Sequence, residues 1–271
     1  MFAKLFKHEF LTTWRTLATT VGVLVLLGCV LLVFDLVQVP ILAPLGRVLG
    51  TACLAGIGVA VPVLLAINYW RTMYAAPGYF THTLPVHGRT ILAAKATYAC
   101  LAVLVAEAVA AVLGFTLPTW VASTHSGTTI SGMWHGLMLT LGTGHLWVVV
   151  AFGPLMLVCL YLQTLCAITL GTRGRLNGLG AGGAIVAFVV MYLVNQVVTV
   201  VSMITIPWGL RTDTSPDTLY VMTAHATTMS TLTADQGPDV MGLGWAPMLV
   251  VLAIVATIWA ARSIEHHTCL H

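Results

Sequence analysis

Arg47 and Arg71 bracket the stretch VLGTACLAGIGVAVPVLLAINYW (Val48–Trp70), 23 residues without a formal charge. At 1.5 Å per residue a helix of that length is about 35 Å long, enough to cross the ~30 Å hydrocarbon core of a bilayer. Its apolar residues run on continuously. A barrel strand would instead alternate with every residue, so the stretch predicts a helix. The pattern recurs along the chain: Glu107 and Arg173 enclose 65 uncharged residues. Charged residues make up 7% of the 271 positions, against about a quarter in a soluble domain. So little polar surface excludes a soluble globular protein.

Six spans are expected, at Leu17–Val37, Val48–Trp70, Ala93–Leu117, His145–Leu170, Leu176–Ile206 and Gly244–Ala261. The fourth has room to begin earlier, because Gly136–Gly144 is also apolar. Lys and Arg orient them. With both termini cytoplasmic, Lys4, Lys7, Arg15, Arg71, Arg89, Lys95, Arg173, Arg175 and Arg262 lie inside and only Arg47 and Arg211 outside, as the positive-inside rule requires of an even number of spans. The acidic Asp213, Asp217, Asp235 and Asp239 then fall in a long outer loop, 207–243. The net charge of +3 follows from topology and does not point to nucleic acid.

Met1–Leu17 lacks the basic tip, apolar centre and small-residue cleavage site of a secretory signal. Phe2, Leu5, Phe6, Phe10, Trp14 and Leu17 recur at three- and four-residue steps, with Lys4, Lys7, His8 and Arg15 on the remaining face. The spacing predicts an amphipathic helix lying on the inner membrane surface, with Phe6, Phe10 and Trp14 as its interfacial anchors.

The motifs of enzymes are missing. The sequence has no H-E-x-x-H and no G-x-S-x-G, and none of its three lysines follows a phosphate-cradling G-x-x-x-x-G loop. Enzymatic chemistry is not expected, and ATP-driven work would need another chain. The six cysteines form no C-x-x-C pair and imply no disulfide framework. His266, His267, Cys269 and His271 have ligand chemistry but no second cluster to close a metal site, so no metal is expected. Gly174, Gly178 and Gly182, spaced by four near the fourth-to-fifth turn, form a candidate helix-packing face. Glu107 is the one ionisable residue expected near the middle of a span. It needs a partner, a wet cavity or the protein interior, either as part of a translocation path or as a hydrogen bond to a neighbouring span.

The most specific stretch is cytoplasmic, NYWRTMYAAPGYFTHTLPVHGRTILAAK (Asn68–Lys95). Arg71–Ala76 can form a short helix before Pro77-Gly78, Tyr79–Leu84 presents aromatic and hydroxyl groups, and Pro85–Gly88 turns the chain back. Exposed aromatics between two spans suggest a docking surface.

Gly78-Tyr79-Phe80-Thr81-His82-Thr83-Leu84-Pro85-Val86, with Arg89 and Lys95 after it, resembles the corresponding loop of bacterial type 2 ABC transporter permeases. The resemblance implies an all-α membrane protein with six transmembrane helices, an interfacial connector helix over 1–16 and a permease domain over 17–262. It also implies a coupling loop over 71–92 and a cytoplasmic tail over 263–271. Function follows as an exporter's transmembrane subunit in the bacterial plasma (inner) membrane, moving a drug, an antimicrobial peptide or a lipid. Its implied partners are separate ABC ATPase subunits, which carry the ATP and Mg, and a second permease, identical or paralogous. The ATPase-coupling residues would be Arg71, Tyr74, Tyr79, Phe80, Thr81, His82, Leu84, Pro85 and Arg89. Two other classes stay open at this point: an ion-coupled secondary transporter using Glu107, and a non-transporting membrane assembly or sensor subunit.

Overall fold

The computed structural model describes residues 2–75, 87–126, 129–141, 143–172, 178–206, 209–211, 220–221 and 240–266. Among them the chain is helical apart from three short strands. The helices are α1 (Phe2–Leu36), α2 (Leu42–Ala55), α3 (Ile57–Tyr74), α4 (Gly88–Ser126), α5 (Ile130–Leu141), α6 (Thr143–Gly171), α7 (Ala181–Thr205) and α8 (Trp245–His266). Strands β1 (Gly209–Arg211), β2 (Tyr220–Val221) and β3 (Val240–Gly242) form an antiparallel ribbon in the order β2-β1-β3, within the stretch expected to be a plain loop. Among the described residues six segments are long and apolar enough to cross a membrane: Phe2–Leu36, Leu42–Tyr74, Gly88–His125, Phe152–Gly171, Ala181–Met203 and Trp245–Ile264. Many of their large apolar side chains lie on the outside, among them Val23, Leu26, Val59, Val105, Ile185, Val197 and Ile254. That is the surface a lipid solvent favours.

The boundaries depart from expectation in physically simple ways. Residues 2–36 form one unbroken helix, so the expected connector over 1–16 is continuous with the first span. Nothing in HEFLTTWRTLATT breaks a helix: it has neither Gly nor Pro. The second span is divided at Gly56, which joins α2 to α3. Helix α8 continues to His266, taking in the first residues expected for the tail. Residues 267–271 lie outside the described residues.

The chain divides into two compact units, residues 1–136 and 137–269, apart from the last two positions. In the first, α1 and α2 form a hairpin packed on glycine. A Cβ on Gly46 would stand 2.5 Å from the Leu31 carbonyl oxygen and one on Gly50 2.9 Å from Leu32 Cγ, so only glycine permits this approach. Helix α3 buries Ile57, Gly58, Val61, Leu65, Tyr69 and Met73, a single face at three- and four-residue steps, and it packs against α4. In the second unit, α6 packs against α7 and α8. Helix α8 buries Leu249 together with Ala246, Ala253, Ala256 and Ala260, and the four alanines let the helices come close.

Candidate functional site

Three helix segments of the first unit meet through polar side chains: the first turns of α1, the last turns of α3 and the first turns of α4. Lys95 is the hub. Its side chain is 7% exposed, and Nζ donates to Glu9 Oε1 at 2.5 Å and to Thr72 Oγ1 at 2.9 Å. Thr72 in turn donates to the Asn68 carbonyl at 2.7 Å. One turn along both helices, the Thr13 and Tyr98 hydroxyls lie 2.5 Å apart, and Thr13 also donates to the Glu9 carbonyl. The Tyr98 ring is flanked edge-on by Phe6 and Phe10, with centroids at 5.7 and 6.3 Å. A buried lysine requires a partner, and here it has both a carboxylate and a hydroxyl.

This arrangement gives α1 a polar contact inside the protein. The face turned to the protein carries Leu5, Phe6, Glu9, Thr13 and Leu17, so it divides the apolar stripe. Phe2, Phe10 and Trp14 stay exposed. Trp14 carries the Arg15 guanidinium over its ring at 5.7 Å. Phe6, Phe10 and Trp14 with Tyr98, Leu101 and Val105 border an apolar groove of about 540 Å³ between α1 and α4. Sequence reading counted Lys95 as a loop charge and passed over Glu9. A signal was present: Glu9 and Thr13 are one turn apart between Leu5 and Leu17, a polar step inside an apolar stripe.

Of the expected coupling residues, Arg71 lies exposed in the last turn of α3, beside a cavity of about 140 Å³ lined in part by Thr12, Thr16 and Asn68. Tyr74 ends α3 with its ring edge-on to Tyr69 at 6.1 Å. Arg89 is exposed in the first turn of α4. Tyr79, Phe80, Thr81, His82, Leu84 and Pro85 lie outside the described residues. The cluster around Lys95 thus joins the helix entering that segment to the helix leaving it, with α1 across both.

At the other end of the α1–α2 hairpin, Arg47 binds Asp35 through two hydrogen bonds of 2.9 and 3.0 Å. Asp35 is fully buried, whereas the Arg47 side chain is 52% exposed. Sequence reading placed Arg47 in a loop and left Asp35 unassigned. The intervening turn holds Gln38 and Ile41 at positive φ, 54° and 68°, and the Gln38 amide donates to the Asp35 carbonyl at 2.8 Å. A β-branched residue adopts that conformation only when its surroundings enforce it.

Glu107 is half-buried on α4 with its carboxyl against Gly58 of α3. It does not border the α1–α4 groove. Of the expected glycine face, Gly178 has nothing within 4 Å of a Cβ position, Gly182 has only an ordinary contact with Leu179, and Gly174 lies outside the described residues. The close approach is at Gly171, where a Cβ would overlap the Gly183 carbonyl and Ala184. The second unit also holds a polar contact missed in the sequence. Asn195 of α7 donates to the buried Gln163 of α6, which donates to the Leu249 carbonyl of α8 at 3.4 Å. Among the described residues no cluster of His, Cys, Asp and Glu could hold a metal ion.

Comparison of the chain with protein-family models, with curated proteins and with solved structures finds no match.

Proposed function

We propose that the chain is the transmembrane permease subunit of an ATP-driven ABC exporter in a bacterial plasma membrane, with both termini cytoplasmic. In this reading the N-terminal third of α1 is the connector, since a 35-residue helix of about 52 Å overruns a ~30 Å core. The loop between α3 and α4 docks on a separate ATPase, which holds the ATP and Mg. A second permease copy completes the path, bordered at mid-span by Glu107, and a hydrophobic or amphipathic molecule is exported.

One observation carries the reading beyond the loop's sequence resemblance. Lys95 ties Glu9 of α1 and Thr72 of α3 to the start of α4, so a displacement applied to the intervening loop would move three spans together. A coupling device needs that rigidity. The chain's lack of a P-loop requires the ATPase to be a partner.

The test is purification of the tagged chain from its native membrane. An ABC ATPase should co-purify, and Tyr79→Ala with Phe80→Ala should strip it off, since aromatic anchors at an interface are each worth about 2 kcal/mol or more. Gradient-driven transport by the chain alone would replace this reading with secondary transport through Glu107. Neither partner nor transport would leave an assembly or sensor subunit.

A further inference from the structure

The second span has a break near the middle of its length, and Glu107 lies against it. Pro62 has no amide hydrogen and cannot close the helical bond to the residue four before it, so the Gly58 carbonyl loses its helical donor. Gly58 is buried on the face of α3 that packs against α4. A Cβ there would stand 2.7 Å from each carboxyl oxygen of Glu107, so the carboxyl fills the space that any other side chain would occupy.

The surroundings decide which form of the acid belongs there. Among the described residues, Glu107 has neither an ion pair nor a hydrogen-bond donor. The charges on the packed helices are remote or already bound. On α1, Glu9 pairs with Lys95 and Asp35 with Arg47 of α2, and the remaining α1 charges lie within its first fifteen residues. Arg71 is 13 residues from Gly58 along α3, about 20 Å, and Lys95 is 12 residues from Glu107 along α4, about 18 Å. Cys53 of α2 and Cys100 of α4 are the nearest other titratable groups in sequence. An ionised carboxylate at this depth would lack a donor among the described residues, which is strongly unfavourable in a membrane. A neutral carboxylic acid needs a single acceptor, and Gly58 presents a carbonyl whose helical donor is missing.

We propose that Glu107 is a proton-binding site in the membrane interior, a neutral acid that donates to the Gly58 carbonyl in place of the amide that Pro62 lacks. The proton then bridges α3 and α4 at the break in the second span. Its loss would set a carboxylate against a carbonyl and loosen that contact. This inference does not rest on the permease reading.

Dicyclohexylcarbodiimide tests it on the full chain in lipid vesicles, independently of transport. The reagent takes the carboxyl proton on nitrogen while a carboxyl oxygen adds to its central carbon, and the adduct rearranges to a stable N-acylurea. Mass mapping should place an adduct on Glu107 at neutral pH, lost as the pH is raised, and none at that position in Glu107→Gln. Pro62→Ala restores the competing amide and should lower the labelling midpoint by about one pH unit, the equivalent of one net hydrogen bond. Gly58→Ala, whose methyl displaces the carboxyl, should lower it as well and serves where Pro62→Ala fails to fold. A folded wild-type chain unlabelled at Glu107 at neutral pH overturns the proposal. So does a midpoint that the folded variant leaves unmoved.

Discussion

The two units of the chain solve one problem with different chemistry. In lipid, apolar burial does little to draw helices together, so packing and polar contacts must hold them. The first unit adds ion pairs to its glycine packing at Gly46 and Gly50: Lys95 with Glu9 and Asp35 with Arg47. The second relies on close backbone approach at Gly171 and on a neutral amide chain from Asn195 through Gln163 to Leu249. A buried ion pair adds little net stability when intact but is costly when halved, whereas neutral contacts fail more gently. Damage should therefore be graded by unit.

The largest effect is expected at Lys95. Lys95→Met leaves the Glu9 carboxylate, 13% exposed, without its cation, and breaking such a pair costs about 3–5 kcal/mol. The thermal unfolding midpoint of the purified protein in detergent should drop sharply. Adding Glu9→Gln should recover most of the loss, because the stranded charge is then gone. Strictly additive effects in this double-mutant cycle would show that the two residues are not coupled.

Next comes an asymmetry at the turn of the α1–α2 hairpin. Arg47→Ala strands a fully buried Asp35, while Asp35→Asn leaves an arginine already half in solvent. The first should cost about 2 kcal/mol, less than a wholly buried pair because Arg47 is hydrated, and the second under about 1 kcal/mol. Equal losses on thermal unfolding would mean that Asp35 does not depend on Arg47.

In the second unit, Gly171→Val should cost about 1–3 kcal/mol as overpacking, since the new side chain meets backbone that cannot move aside. Gly178→Ala, in open space, should be silent. Similar stability for the two variants would remove the glycine crossing from the account.

How much of this was legible in the sequence depended on whether a feature is periodic or pairwise. Long charge-free runs located all six spans, because one stretch of residues suffices to define a helix that can cross lipid. The breaks were harder: Gly56 divides the second span although glycine is common in membrane helices. Pair partners were invisible. Glu9 and Lys95 are 86 positions apart, and Gln163 and Asn195 are 32 apart. No spacing rule on one helix announces a contact with another. The close approach at Gly171 was hidden for the same reason: glycine spacing along one helix does not say where a second helix passes, and α7 passes at Gly171.

The smallest expected effect sharpens the comparison most, because it asks whether the second unit depends on polar contacts at all. Asn195 is half-buried on α7 and donates to Gln163, which is 2% exposed. Asn195→Leu removes one interhelical hydrogen bond and leaves the Gln163 carbonyl oxygen without that donor. Such bonds in membrane proteins average about 0.6 kcal/mol and reach about 1.7, so unfolding in detergent should shift only slightly. Gln163→Leu should cost more, because it removes the contact to the Leu249 carbonyl as well and leaves two groups unmatched. The Asn195→Leu, Gln163→Leu double variant should be no worse than Gln163→Leu alone, since replacing both partners by apolar groups is nearly neutral. A loss of several kcal/mol for Asn195→Leu would put the amide chain on the footing of the ion pairs. The contrast between the two units would then vanish.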